Sequence, residues 1–183
     1  MWMNIGIIVA VIIVALGIAI ATRPDTFRVQ RAATIAAPPG VVFGYLNDFH
    51  QWPQWSPWEK LDPNMQRTLT GAPSGTGAKY AWSGNSKAGE GSMTITDSKP
   101  NERVVLDLNF IKPFKSSNVT DFALAPAERG TQVTWTMNGT NTTATKAFSL
   151  FMNMDKLVGG DFVRGLANLK AVSEADASRG PTV

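Results

Sequence analysis

TATKAFSLFMNMDKLVGGDFVRGLANLKAVSE, residues 143–174, is the stretch whose reading decides the fold. At 3.6 residues per turn, Phe148, Met152, Asp155, Gly159, Phe162, Leu166 and Leu169 fall on one stripe. The opposite face carries Leu150, Leu157, Asp161 and Arg164, a mixed surface that water can cover. An unbroken helix here would be about 48 Å long. So long and one-sided a helix needs a broad apolar partner surface. The preceding segments supply it, because they read as consecutive strands.

Residues 27–37 alternate Phe27, Val29 and Ile35 against Arg28, Gln30 and Thr34, a first strand. Pro38 and Pro39 stop it, and Val42, Phe43, Leu46 and Phe49 then space out a short helix. HQWPQWSPW, residues 50–58, reads as a helical turn followed by an extended loop. Strands are expected at 65–70, 78–83, 91–98, 103–110, 117–124 and 131–138, separated by turn-forming residues. Short links between successive strands imply antiparallel pairing. Helices segregated to the ends of the chain imply an α+β architecture of about seven strands.

Composition narrows the function. The chain has 183 residues, 44% hydrophobic and 17% charged, with a net charge of +3. Its cations are scattered, so the basic stripe of a nucleic-acid binder is missing and no nucleic-acid partner is expected. There is no cysteine, which excludes disulfides, thiolate catalysis and thiolate-bound metal. His50 is the sole histidine, too few for a multi-histidine metal site. No metal and no cofactor are expected. The oligomeric state is not encoded in any pattern found here.

Residues 2–21 are almost wholly apolar, with Asn4 as the exception, and approach the length of a bilayer core. They are expected to form an uncleaved membrane anchor (residues 1–22), followed by a linker (23–26). Arg23, Arg28 and Arg31 follow the span and no basic side chain precedes it. That asymmetry puts the domain in the cytoplasm; the alternative is an exported domain. The folded domain is expected over 27–174, and residues 175–183 as a disordered tail.

Three runs carry a resemblance: IxAPPxxVFxYLxDF at 35–49, WxxWSPWE at 52–59 and MDKLVGGDFxxGLxxLK at 154–170. With the order of elements, they resemble the polyketide cyclase/dehydrase proteins of the START-like, helix-grip (SRPBCC) superfamily, and within it the membrane-anchored bacterial members. The resemblance implies a curved antiparallel sheet gripping a long C-terminal helix around a cavity. It also implies an apolar ligand such as a lipid, sterol or polyketide; only some members are enzymes.

Candidate site residues follow from the residue types. Trp55, Trp58, Tyr80, Trp82, Phe110 and Trp135, with Trp52 and Phe114, could wall a pocket for a hydrophobic molecule or fill the core themselves. Met137 and Met152 would add adaptable lining. Asp155 interrupts the apolar stripe, so it is expected to be hydrogen-bonded, protonated or facing a wet cavity. It is either a structural tie to an indole, hydroxyl or amide, or an acid/base. His50, with Glu59 and Asp62, is the other acid/base candidate. The Gly159–Gly160 pair marks a close approach to the sheet or a bend. Three functions compete: a membrane-tethered binding module for a hydrophobic or lipid-like molecule, which is favoured; a cyclase, dehydrase or hydrolase-type enzyme using Asp155 or His50; and an interaction domain whose cavity is filled by its own side chains.

Overall fold

The computed structural model describes residues 2–150 and 154–179. Helix α1 (Trp2–Ala21) is followed by β1 (Thr26–Ile35), α2 (Pro39–Asn47) and two 3-10 turns at Phe49–Gln54 and Pro57–Lys60. Six strands follow: β2 (Gln66–Gly71), β3 (Ala78–Ser83), β4 (Glu90–Lys99), β5 (Arg103–Lys112), β6 (Ser116–Ala127) and β7 (Gly130–Thr140). Helices α3 (Thr143–Phe148) and α4 (Met154–Arg179) close the chain.

All strands pair antiparallel in one sheet of order β1-β7-β6-β5-β4-β3-β2. Every neighbour but one is the next strand in sequence; the exception is β1, which closes onto β7 and so becomes an edge. The inner face carries Val29, Ile35, Tyr80, Ile95, Leu106, Phe122, Val133 and Trp135, all buried. Alternation of buried and exposed positions along β6 and β7 fixes the register, because a slip of one residue would turn the apolar set to water.

Helix α4 lies against β1 and buries Gly159, Phe162, Gly165, Leu166, Leu169 and Ser173. It also covers the free edge of β1. Lys170 Nζ donates to the Thr34 carbonyl at 2.9 Å, and Glu174 Oε1 accepts from the Ala36 amide at 2.7 Å. Charged side chains placed over an edge strand block pairing with another chain.

Several sequence expectations are corrected here. The expected single helix over 143–174 is two, α3 and α4; Met152 lies outside the described residues, as does the side chain of Phe148. Helix α4 runs on to Arg179, through the start of the expected tail, because Ala177 still packs on the core. Among the described residues no helix is long and apolar enough to cross a membrane. The expected single-pass anchor over residues 2–21, and the membrane localisation drawn from it, are overturned on that finding. Most of the described apolar side chains of α1, Ile7 and Ile13 among them, are exposed, while Ala19 and Ile20 are partly covered.

Glycines set the depth of α4. A Cβ on Gly159 would run into the Arg31 guanidinium, and one on Gly165 would sit 2.7 Å from Trp135 Cζ3 and 3.2 Å from Pro57 Cδ. Gly160 faces open space. Gly165→Ala is therefore expected to destabilise the domain by about 1–3 kcal/mol through overpacking. Gly160→Ala is expected to stabilise it by up to about 1 kcal/mol, since only helix propensity changes. Thermal denaturation of the two variants checks both signs.

Candidate functional site

The tryptophan loop is positioned by the end of α2. A helix leaves its last carbonyls without intrahelical donors. Trp52 Nε1 donates to the Leu46 carbonyl at 3.2 Å and Trp55 Nε1 to the Tyr45 carbonyl at 3.1 Å. Both indoles are thereby satisfied and buried, and Asn168 Nδ2 on α4 donates to the Trp55 carbonyl at 3.0 Å. The rings converge on Trp135. It stacks on Phe162 at 4.2 Å and 13°, lies 4.8 Å from Phe122, and meets Trp55 and Trp58 edge-on at 5.7 and 5.6 Å. At this level the space between sheet and helix is filled by aromatic side chains. Trp135 Nε1 is nevertheless buried with no hydrogen-bond partner among the described residues.

Further along the sheet the covering thins. On the inner face of β5, Val104 and Leu106 are fully buried, but the next two inward positions, Leu108 and Phe110, are half-buried. Trp82 on β3 is half-buried beside them and meets Phe110 edge-on at 5.7 Å. Tyr80 continues this row, 6.2 Å from Trp82. Phe27, partly buried on β1, lies along the same rows of the sheet, and Met93 and Met137 lie deeper.

Two glycines shape this end. Gly91 pairs with Trp82, and a Cβ there would lie 2.5 Å from the indole Cη2. Gly139 pairs with Phe27, and a Cβ there would lie 2.5 Å from the phenyl ring. Both rings therefore lie along the sheet rather than standing into the interior, which leaves the inner face open. Asn118, also paired with Gly139, presses its Oδ1 into the same gap, buried and without a partner among the described residues. A glycine at an inward strand position was a readable signal for Gly91 and Gly139; nothing local marked Asn118. A depression of about 650 Å³ lies mainly against the sheet's outer face between Arg28, Val119, Asn138 and Thr140, not between sheet and helix.

The ionisable candidates are dispersed. Asp155 is half-exposed and pairs with Arg31 on β1 through two bonds, at 2.8 and 3.0 Å. It ties α4 to β1, with a guanidinium as partner rather than an indole, hydroxyl or amide. The Arg31 hydrogen bonds hold its carboxyl below the ordinary 3.8. His50 is exposed, with Nδ1 2.7 Å from Asp48 Oδ1. Glu59 turns inward, accepting from Tyr80 Oη at 2.5 Å and Arg67 Nε at 2.6 Å. Asp62 caps the backbone amides of Asn64 and Asn85. His50, Glu59 and Asp62 thus engage three different sets of partners and form no joint acid/base. Of the expected wall, Trp55 and Trp135 are buried in the aromatic cluster and Trp58 packs against it. Trp82 and Phe110 are half-buried at the thinly covered end, Tyr80 and Met137 are buried, and Phe114 is 78% exposed on the β5–β6 turn.

A family model described as polyketide cyclase / dehydrase and lipid transport matches residues 26–174. The chain belongs to that family. Its match spans β1 to within α4 and leaves α1 outside. No curated protein matches the chain. Among solved structures, protein CV1439 from Chromobacterium violaceum superposes with a TM-score of 0.58 at 17% identity, over 83% of this chain and 99% of its own. The Aha1 dimer from Colwellia psychrerythraea gives 0.57 at 15%, over 81% and 96%. The di-domain ARO/CYC StfQ from the steffimycin biosynthetic pathway gives 0.59 at 11%, over 84% of this chain and 52% of its own. At these identities the likeness is one of fold. The narrower expectation of a membrane-anchored type has no support in these matches.

Removing the Asp155 tie is expected to lower Tm more than Asp161→Ala, which breaks only an i, i+3 pair with Arg164. Because the folded carboxyl of Asp155 lies below 3.8, its contribution is present above that pH and is lost as pH falls through the folded value. Tyr80 behaves oppositely. Burial first, and then Glu59, raise its phenol above the ordinary 10.0. Its contribution is intact below pH 10 and declines as pH rises beyond it. Tyr80→Phe is expected to cost about 1.5–3 kcal/mol, the range for a hydrogen bond to a charged group. Denaturant unfolding at acid, neutral and alkaline pH measures these effects.

Proposed function

We propose that this family member is a non-enzymatic binding domain for a hydrophobic or lipid-like small molecule. The ligand would lie on the open end of the inner face, against Tyr80, Trp82, Leu108, Phe110 and Met137, with the Trp55–Trp58–Trp135 cluster as its inner limit. One observation carries the reading: inward-facing Leu108, Phe110 and Trp82 are half-covered, while the next inward positions toward α2 are fully buried. Apolar side chains on the inner side of a sheet that the protein's own helix does not cover are a place for an apolar molecule. The family description, with its cyclase and lipid-transport members, supports the ligand class. The dispersal of Asp155, His50, Glu59 and Asp62 favours binding over acid/base catalysis. A competing reading, a domain filled by its own side chains, draws on the packed rings around Trp135.

Native mass spectrometry of the purified chain is expected to show a bound apolar molecule that organic extraction removes. Repeated recovery of the bare chain would favour the filled domain. Phe110→Asp is expected to weaken binding of anilinonaphthalene sulfonate by about tenfold, the loss of one buried aromatic contact, without abolishing folding.

A further inference from the structure

The turn joining β5 to β6 is made of unusual residues for its place. Turns favour Gly, Asn, Asp and Ser because these satisfy tight backbone geometry and water. This one reads Pro113, Phe114, Lys115, directly after Ile111 and Lys112 at the end of β5. Ile111 is 45% exposed and Phe114 is 78% exposed, above every other large apolar side chain of the described molecule. The neighbouring β3–β4 turn abuts it: a Cβ on Gly89 would lie 2.5 Å from the Lys112 carbonyl. That turn adds exposed Lys87; of the acids beside it, Glu90 is paired with Lys112 at 2.7 Å and buried Asp62 caps the Asn85 amide. Two adjacent loops thus present two projecting apolar side chains within a net positive rim.

We infer that this tip is a docking element for an anionic lipid surface. Ile111 and Phe114 would enter the headgroup layer, and Lys87, Lys112 and Lys115 would face its negative charge, the arrangement of a peripheral contact. The charge pattern selects this occupant over a soluble apolar partner, which would have no need of the lysine rim. The position gives the contact a purpose. Phe110 lies at the end of β5 just before the tip, with Trp82 packed on it, so docking sets the open end of the inner face against the surface. The inference does not depend on the ligand reading: dye binding by the free protein tests that reading alone.

The test uses the full chain and vesicles of phosphatidylcholine, alone or mixed with phosphatidylserine. Helix α1 is present in every arm, so whatever its apolar surface contributes is common to all. Phe114→Ser is expected to lower partition onto the mixed vesicles by about tenfold. Lys115→Glu is expected to lower it by at least about fivefold on the mixed vesicles and not on phosphatidylcholine alone. Since the chain has no cysteine, Ile111→Cys accepts a single environment-sensitive label. Its emission is expected to shift to the blue on the mixed vesicles, while a label at Glu128→Cys on the β6–β7 turn stays unchanged. Equal partition of the natural chain and an Ile111→Ser/Phe114→Ser double variant, with equal Tm, overturns the inference. So does finding that Phe114→Ser dissolves a dimer of this chain while leaving vesicle binding intact.

Discussion

The stack of Trp135 on Phe162 is the contact on which the rest of the domain depends. Trp135 stands on the central part of β7 and Phe162 on α4, so the pair fixes how deep the helix lies in the sheet. Offset stacking at this distance adds to the large apolar area that two aromatic side chains bury. One glycine follows from it. Gly165 must lack a side chain because Trp135 occupies that volume. The tryptophan loop closes the other side, with Trp55 and Trp58 meeting Trp135 edge-on.

Polar accounting explains why the surrounding parts hold their places. Carbonyls at the end of α2 would be left without donors, and the indoles of Trp52 and Trp55 supply them. The free edge of β1 would invite pairing with another chain, and Lys170 and Glu174 occupy it from α4. Buried Glu59 would be costly alone, and it is held by Arg67 and Tyr80. Two of the groups that the amino-acid sequence offers as acid/base candidates, Asp155 and Glu59, are thus engaged in holding the framework. The open end owes its shape to other residues, Gly91 and Gly139, whose missing side chains let Trp82 and Phe27 lie flat.

The strand pattern was legible because alternation is a local signal. Each of the seven expected strands overlaps an observed one, and their antiparallel order follows from short turns. The site was less legible. Tyr80, Trp82, Phe110 and Met137 were readable as inward-facing residues from their strands. Asp155 stood out because it breaks an apolar stripe, but its partner Arg31 is 124 residues away in sequence, on an edge strand whose pairing with β7 is a tertiary fact. Trp55 and Trp135 looked like pocket wall; how many rings meet at one level, and hence that they pack on each other, is set by the crossing of helix and sheet.

By itself the sequence determined the α+β class, the seven strands, the C-terminal helix and the absence of thiol chemistry, because periodicity, turn residues and composition are properties of neighbours along the chain. Only the tertiary structure decided that the helix divides into α3 and α4, that no described helix is long and apolar enough to cross a membrane, and that the interior is filled around Trp135 yet half-covered at Leu108 and Phe110. These depend on how far one packed layer extends over another. That distance is fixed by side-chain volumes meeting across the interface, and no single segment carries it.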